Sequence, residues 1–223
     1  MKKLDIYGDS ILRGVMYNPE SGRYDLCTKN RFSSLSEYGI EVKSNCRMGA
    51  TIARGFDLMK RNLADGAADT TVLIEFGGND CDFRWADVSA DPDGQFEPNT
   101  PESQFLSTYR DMISYAREKG ATPVIASLVP IDADRYMNWI TRNLSYQNIL
   151  HWLGDVAMLS RWQEYYSRMA ERLAYETGCP LLDLRGAFLQ TRSYKNLIGE
   201  DGIHPTKMGH ELIDRTLTEF CTV

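Results

Sequence analysis

Residues 3–10 of the chain, KLDIYGDS, join a short apolar run to a glycine turn and a serine. The run 3–7 is too short for a helix, and its aliphatic side chains predict a β-strand. Four further segments of the same kind are expected to be strands, namely 40–45, 71–76, 123–127 and 180–183. The opening segment is therefore predicted to be the first strand of a sheet, with Ser10 just beyond its carboxyl end.

Patterns with helical period lie between and after these strands. They cover residues 52–63, 105–116, 160–178 and 212–220. Thr100 is predicted to cap the second helix, with Pro101 as its first residue. Ser160 is predicted to open the third helix with a capping-box spacing, and Gly178 to end it. Strands that alternate with helices predict a parallel sheet covered on both faces, hence a three-layer α/β/α fold.

The composition is that of an ordinary globular protein. The chain has 223 residues, of which 43% are hydrophobic and 25% charged, and these values exclude disordered and fibrous proteins. A chain of this length fits one domain, so we expect a single domain over 1–223. Lys and Arg number 25 against 31 Asp and Glu, giving a net charge of -6, and we expect no nucleic-acid partner.

Three features predict a cytoplasmic protein. No segment approaches the roughly 18 consecutive apolar residues that a membrane span requires. Residues 1–3 resemble a basic signal-peptide start, but charges at positions 5, 9 and 13 interrupt the apolar segment that would have to follow. The five cysteines are scattered without a C-x-x-C spacing, which is typical of reduced thiols and not of disulfides or a zinc site.

Two connections are longer than simple crossovers need. Residues 81–100 are rich in Asp and Pro, and residues 130–159 contain four large aromatic side chains. Long ordered connections are more often functional than spacers, and ligands of parallel sheets bind outside the carboxyl ends of the strands. We therefore expect both connections to lie near a functional site.

Ser10 follows the first predicted strand directly, after a glycine that permits a tight turn. A nucleophile at this position would lie near a helix N-terminus, whose free N–H groups can bind an oxyanion. Gly49 stands where the next helix begins, so its N–H can face the same cleft. Each residue also has a plain structural interpretation, because serine is a common N-cap and glycine is common at helix starts.

Asn79 follows the third strand in a glycine-rich turn, where its side chain can donate to an oxyanion or merely form the turn. Asp201 precedes His204 by three residues in D-G-I-H-P. In one turn, this carboxylate can accept from Nδ1 of the imidazole and leave Nε2 free to take a proton from a hydroxyl. An isolated D-x-x-H is also typical of surface turns.

These four segments together resemble the GDSL or SGNH hydrolases, whose four sequence blocks occur in the same order. The matching residues are G-D-S at 8–10, Gly49, G-G-N-D at 77–80 and D-G-I-H-P at 201–205. The resemblance implies a Ser10 nucleophile, a His204 base and an orienting Asp201. It also implies an oxyanion hole formed by the N–H groups of Ser10 and Gly49 and by the Asn79 side chain.

The family resemblance further implies a flavodoxin-like five-stranded parallel sheet, no cofactor, no metal, and hydrolysis of a carboxylic ester or thioester of a small acyl compound. Departures are small. Ile11 replaces the leucine of the family name, Ala50 stands where many members have aspartate, and Asp80 has no catalytic role assigned. The alternative is a non-catalytic flavodoxin-like module that binds a small molecule or carbohydrate, although such a module would not require Ser10 and His204.

The substrate is less well defined by the sequence. Trp139 and Trp152 lie in the aromatic connection, where they can stack on a sugar ring or line an acyl groove. They can equally form a hydrophobic cap over the core. The expected partner is a small ester, such as an acylated carbohydrate or a lipid, and the oligomeric state stays open.

Overall fold

The computed structural model describes residues 2–27 and 31–222. Met1, the first residue of the basic start considered above, lies outside these residues. The strands are β1 (Lys3–Gly8), β2 (Val15–Asn18), β3 (Arg23–Leu26), β4 (Glu41–Ser44), β5 (Thr70–Glu75), β6 (Thr122–Ala126) and β7 (Leu181–Leu182). A five-stranded sheet has the order β4-β1-β5-β6-β7, and all its pairings are parallel. The α/β fold class with a five-stranded parallel sheet is thereby confirmed.

Helices flank this sheet. They are α1 (Ser10–Arg13), α2 (Ser34–Glu37), α3 (Ile52–Asn62), α4 (Trp85–Ala90), α5 (Glu102–Glu118), α6 (Ala133–Ile140), α7 (Tyr146–Leu153), α8 (Met158–Thr177), α9 (Leu184–Leu189) and α10 (Lys207–Thr222). Short 3₁₀ turns cover Thr141–Asn143 and Tyr194–Leu197. None of the helices just bounded combines the length and apolar character that crossing a bilayer would need.

Side chains of the central strands alternate between two cores, as the two-residue period of a strand requires. In β1, Ile6 packs with α10 and its neighbours, whereas Tyr7 faces the opposite core. In β5, Leu73 and Ile74 divide in the same way. One core is therefore covered by α3, α5 and α8, and the other by α1, α2, α9 and α10, which gives the three layers.

Two predicted helix starts are wrong. α5 begins at Glu102, one residue later than predicted, with Pro101 at the N-cap position and no side-chain cap. Thr100 does not cap the helix, and its backbone N–H donates to the Asp80 carbonyl. α8 begins at Met158, so Ser160 lies inside the helix and its hydroxyl donates back to the Ala157 carbonyl. Gly178 ends α8 in the left-handed conformation, as predicted.

The sequence patterns did not indicate the hairpin of β2 and β3 or the short helices in the long connections. The hairpin forms a separate antiparallel pair. α4 lies in the connection 81–100, and α6 and α7 lie in 130–159. Their buried side chains form a third apolar cluster, which includes Trp85, Tyr136 and Ile149. Each of these helices has eight residues or fewer, too short for its period to stand out from the surrounding polar sequence.

The contact between α3 and Phe76, the residue that follows β5, depends on a glycine. A Cβ placed on Gly55 would lie 2.1 Å from Cζ of Phe76, a side chain with no solvent exposure. The missing side chain lets α3 approach the sheet closely at the strand end that leads into residues 77–79. The position of the loop before α3 relative to that strand end is therefore set by close packing.

Gly55→Ala should destabilise the protein even though alanine has the higher helix propensity. The gain in helix propensity is about 1 kcal/mol, whereas overpacking against the buried ring costs about 3 kcal/mol. We expect the free energy of unfolding, measured by urea denaturation, to fall by about 2 kcal/mol. The exposed neighbour Arg54→Ala is the matched control and should change it by less than about 0.5 kcal/mol. A gain in stability for Gly55→Ala would contradict the packing argument.

Candidate active site

Ser10 lies at the carboxyl end of β1, as the first residue of α1. Asp9 caps this helix, because its Oδ1 accepts from the Ile11 N–H at 2.8 Å. The side chain of Ser10 is thereby held at the sheet edge, and the residue is only 5% exposed. The strand-turn-helix arrangement predicted for residues 3–10 is present.

The Ser10 hydroxyl contacts the imidazole of His204. The distance from Ser10 Oγ to His204 Nε2 is 2.9 Å, and His204 Nδ1 lies 2.5 Å from Asp201 Oδ2. With the Nδ1 proton donated to the carboxylate, Nε2 presents its lone pair to the hydroxyl. The arrangement can therefore move a proton from serine to histidine, although the two residues are 194 positions apart in the chain.

Asp201 is fully buried and receives three hydrogen bonds. Its Oδ1 accepts from the backbone N–H groups of Ile203 and His204 at 3.1 and 3.0 Å, and its Oδ2 accepts from the imidazole. Burial by itself would raise the pKa of Asp201, but these hydrogen bonds outweigh that effect and hold the pKa below its ordinary value. The carboxylate therefore stays ionised beside the imidazole and can stabilise an imidazolium.

Gly202 gives the turn its shape. Its φ of +77° lies in the left-handed region, and a Cβ there would meet the Tyr136 nitrogen at 2.3 Å and the Asp132 oxygen at 2.6 Å. The Gly202 carbonyl in turn accepts from the Asp132 N–H at 2.9 Å. The start of α6 thus packs directly on the turn that carries Asp201 and His204. A residue with a side chain at position 202 would push that turn away from α6.

Two backbone N–H groups are available near the Ser10 hydroxyl. Gly49 has a φ of +70°, which favours glycine, and it borders the same cleft as Ser10. Within the described residues, neither the Gly49 N–H nor the Ser10 N–H donates to another protein group. Both can therefore bind an oxyanion.

The Asn79 side chain also borders this cleft, but its amide is already hydrogen-bonded. Its Nδ2 donates to Asp9 Oδ2 at 3.0 Å and to the Ala50 carbonyl at 3.2 Å. The first contact connects it to the residue before Ser10, and the second to the residue after Gly49. Asn79 can donate to an oxyanion only if one of these two bonds is shared or given up.

Asp80, which the sequence left without a role, holds the start of α3. Both of its carboxylate oxygens lie within 3.2 Å of the Ile52 N–H, while Thr51, the residue at the N-cap position, makes no capping bond. Burial raises the pKa of Asp80 to about 6. Asp80 therefore fixes the loop that carries Gly49. An aspartate 28 positions from the helix it caps gives no local signal in the sequence.

A second buried acid, Glu75, contacts Asp9 beneath Ser10. Both residues are at most 2% exposed, and no Lys or Arg among the described residues forms a salt bridge with either. Burial, together with repulsion between the two carboxyl groups, raises the pKa of Glu75 well above its ordinary value, and burial also raises the pKa of Asp9. Two adjacent buried carboxyls without a cation cannot both be charged at low cost, so burial and their repulsion favour the protonated form of Glu75.

A cleft of about 500 Å³ opens from this group of residues. Both long connections contribute to its wall, the first through Phe83 and Trp85 and the second through Trp152. Trp139 does not line it. That indole packs edge-on against Tyr17 of the hairpin at 4.5 Å, with the Arg142 guanidinium over its ring. The two tryptophans predicted to bind substrate therefore lie in different surroundings.

The β2–β3 hairpin supplies an aromatic neighbour of His204 that the sequence did not indicate. The ring of Tyr24 lies 4.9 Å from the imidazole, and burial near Asp201 raises the pKa of the Tyr24 hydroxyl. Tyr24 also contacts Tyr17 at 5.6 Å. The hairpin therefore covers one side of the Asp201 and His204 pair.

The other two histidines lie outside the cleft. His151 is exposed and forms a surface pair with Asp93 at 2.8 Å. His210 is buried in α10, where its Nε2 contacts the Val15 carbonyl at 2.9 Å and burial lowers its pKa to about 3. Across residues 2–27 and 31–222, no group of three or more His, Cys, Asp or Glu side chains is arranged to hold a metal ion.

The chain is similar to known proteins along almost its whole length. The sequence profile of the GDSL-like Lipase/Acylhydrolase family matches residues 6–212. A lipase/acylhydrolase from Enterococcus faecalis has a similar crystal structure, with a TM-score of 0.66, 16% identity, and coverage of 99% of this chain and 95% of that one. An acetylxylan esterase from Geobacillus stearothermophilus gives a TM-score of 0.64, 18% identity, and coverage of 100% and 94%.

A member of the lipolytic G-D-S-L family from Veillonella parvula covers 99% of both chains, with a TM-score of 0.63 and 13% identity. At identities this low, the structural matches show a shared fold. No curated protein sequence matches the chain.

The buried carboxyl of Asp80 should make stability depend on pH in a defined direction. Its pKa rises from 3.8 to about 6 on folding, so between these values the folded protein binds more protons than the unfolded chain. Its contribution to stability therefore falls as the pH rises from about 4 to about 6. We expect the stability of wild type relative to Asp80→Asn to be highest near pH 4 and to decline toward pH 6, in urea titrations across that range.

The exposed Asp111→Asn variant is the control. The difference between its free energy of unfolding and that of wild type should not decline from pH 4 to pH 6. A wild-type advantage over Asp80→Asn that stays constant or grows from pH 4 to pH 6 would contradict the assignment.

Proposed function

The chain belongs to the GDSL-like lipase/acylhydrolase family and is a carboxylic ester hydrolase, and we propose that its reaction proceeds through an acyl-enzyme formed on Ser10. The observation that carries the proposal is the chain of hydrogen bonds from Ser10 Oγ through His204 to the buried Asp201. A serine hydroxyl is a weak nucleophile at neutral pH, and an adjacent base whose other nitrogen is held by a carboxylate activates it.

In the first half of the reaction, Ser10 Oγ attacks the carbonyl carbon of the ester while its proton passes to His204 Nε2. The ionised Asp201 stabilises the imidazolium that forms. The negative charge on the carbonyl oxygen is held by the N–H groups of Ser10 and Gly49 and by the Asn79 amide. When the tetrahedral intermediate collapses, His204 donates the proton to the leaving alkoxide, or to the thiolate of a thioester.

In the second half, water attacks the acyl-enzyme carbonyl and gives a proton to His204. The second tetrahedral intermediate uses the same oxyanion donors, and its collapse releases the acid and returns the proton to Ser10 Oγ. The Ser10 proton leaves and returns along the contact of 2.9 Å between Ser10 Oγ and His204 Nε2, and the other two transfers join His204 to the leaving group and to water. These residues complete the cycle without a cofactor.

The substrate is a small ester. The structural neighbours include a lipase/acylhydrolase and an acetylxylan esterase, so lipid esters and acetylated carbohydrates both belong in a substrate panel. The nitrophenyl acetate reaction is the simplest first assay, because its leaving group needs little protonation.

Replacement of Ser10 or His204 by alanine should lower kcat by about 10⁴- to 10⁶-fold with the fold intact. Asp201→Asn should also be costly, though less so, because the histidine and serine remain. Hydrolysis of nitrophenyl acetate gives the rates, and circular dichroism checks folding. His151→Ala is the matched control, since His151 forms a His–Asp pair on the surface, and it should retain wild-type kcat.

Wild-type turnover by Ser10→Ala would contradict the proposed nucleophile. A folded wild-type protein that turns over no ester in the panel would favour the non-catalytic binding module.

Asn79→Ala should lower kcat about 100-fold with little change in KM, because the amide acts on the developing oxyanion and not on the bound ester. The measurement is steady-state kinetics on nitrophenyl acetate. Asn99→Ala is a control, because the Asn99 side chain is exposed and donates to the Asn79 carbonyl and not into the cleft. An effect of Asn79→Ala confined to KM would make Asn79 a substrate-binding residue instead.

A further inference from the structure

The cleft beside Ser10 has three tryptophans in its walls whose N–H groups are already hydrogen-bonded to the protein. The indole N–H of Trp152 donates to the Gly94 carbonyl at 3.1 Å, and that of Trp162 donates to the Cys81 carbonyl at 2.8 Å. The indole N–H of Trp85 donates to Asp82 Oδ1 at 2.8 Å. All three tryptophans line the cleft, and none has a free N–H for a ligand.

Two further polar side chains along the inner wall are bonded in the same way. The Tyr136 hydroxyl donates to Asp82 Oδ1 at 2.6 Å. The Gln163 amide donates to the Val129 carbonyl at 2.9 Å, and its oxygen accepts from Arg185. Away from the proposed catalytic group, the inner wall therefore presents mainly ring faces and aliphatic carbon, and the partly exposed Asp82 carboxylate is the polar exception. Glu97 also borders the cleft but is exposed to solvent.

This pattern distinguishes between two kinds of substrate. A sugar placed against this wall would lose water from its hydroxyl groups and find few partners for them, which is unfavourable. An alkyl chain or an arene would bury apolar surface against the rings, and each buried methylene strengthens binding about fourfold. A cavity of about 500 Å³ also falls within the range of sites that enclose a whole small ligand.

We propose that the cleft binds an extended apolar group of the ester, so that the preferred substrates are longer-chain or aromatic esters and not acetylated sugars. The inference rests on the ester hydrolysis proposed above and names its substrate class. The apolar group can belong to the acyl or the alcohol part of the ester, because either part can extend from Ser10 into the cleft. In both cases the wall binds the group by burying its apolar surface.

Two ester series test the proposal. In the first, nitrophenyl esters run from acetate through butyrate and hexanoate to octanoate, and in the second, alkyl acetates run from methyl to octyl. We expect kcat/KM to rise about fourfold per methylene over several methylenes in one of the series, for a total gain of at least about 50-fold. The series that rises identifies the part of the ester that the cleft binds. A kcat/KM that does not change with chain length in either series would overturn the proposal. So would a kcat/KM for acetylated sugars that exceeds the values for the longer esters.

Trp152→Ala and Trp139→Ala form a matched pair of variants, because only the first indole lines the cleft. Trp152→Ala should reduce the ratio of kcat/KM for the longest to the shortest ester by at least about tenfold. Trp139→Ala should change kcat/KM for all esters by a common factor, so that the ratio stays as in wild type. If both variants leave the ratio as in wild type, or if Trp139→Ala alone changes it, the cleft is not the specificity site.

Calorimetric binding of alkan-1-ols gives a readout that does not depend on catalysis. The dissociation constant should fall about fourfold per methylene from butanol to octanol, and Trp152→Ala should weaken octanol binding while Trp139→Ala does not. Chain-length-dependent binding without Ser10-dependent hydrolysis would reject the proposed function and keep the apolar site. Ser10-dependent hydrolysis with no dependence on chain length in either assay would reject only the apolar site.

Discussion

The hydrogen bond between Asp201 and His204 is the interaction on which the rest of the site depends. A carboxylate with no solvent exposure is costly unless it is paired and hydrogen-bonded. Here two backbone N–H groups and the imidazole satisfy it, which also fixes the ring so that Nε2 faces Ser10. The left-handed Gly202 makes this turn possible, and the start of α6 packs against it. The long connection 130–159 therefore supports the proposed chemistry as well as bordering the cleft.

A second set of buried acids positions the oxyanion side of the cleft. Asp9 holds the start of α1 and the Asn79 amide, and Asp80 holds the start of α3 and hence the Gly49 loop. Burial raises the pKa of both carboxyl groups, in contrast to Asp201. Acids of the same type thus serve two purposes in one site. The carboxyl beside the imidazole has a lowered pKa and stays charged, whereas the two that accept from backbone N–H groups have raised pKa values and hold the turns in place.

Much of the fold and the core of the candidate site could be predicted from the sequence. Parallel strands end at a common edge, so residues as distant as Ser10, Asn79 and His204 were expected to lie together, and the structure brings them into one cleft. The contact of Asp80 with α3 and that of Tyr24 with His204 could not be predicted, because each joins segments that carry no shared local pattern. Trp139 and Trp152 looked alike in the sequence, and only the packing of the hairpin separates them.

The central claim is that Ser10 carries the acyl group, and covalent labelling tests it most directly. The protein is treated with increasing amounts of a fluorophosphonate, the remaining hydrolysis of nitrophenyl acetate is measured at each step, and the modified peptide is located by mass spectrometry. We expect a single phosphonyl group on Ser10, with loss of activity proportional to labelling and no labelling of Ser10→Ala. Full activity in protein whose Ser10 is completely labelled, or inactivation by a label on another residue, would contradict it.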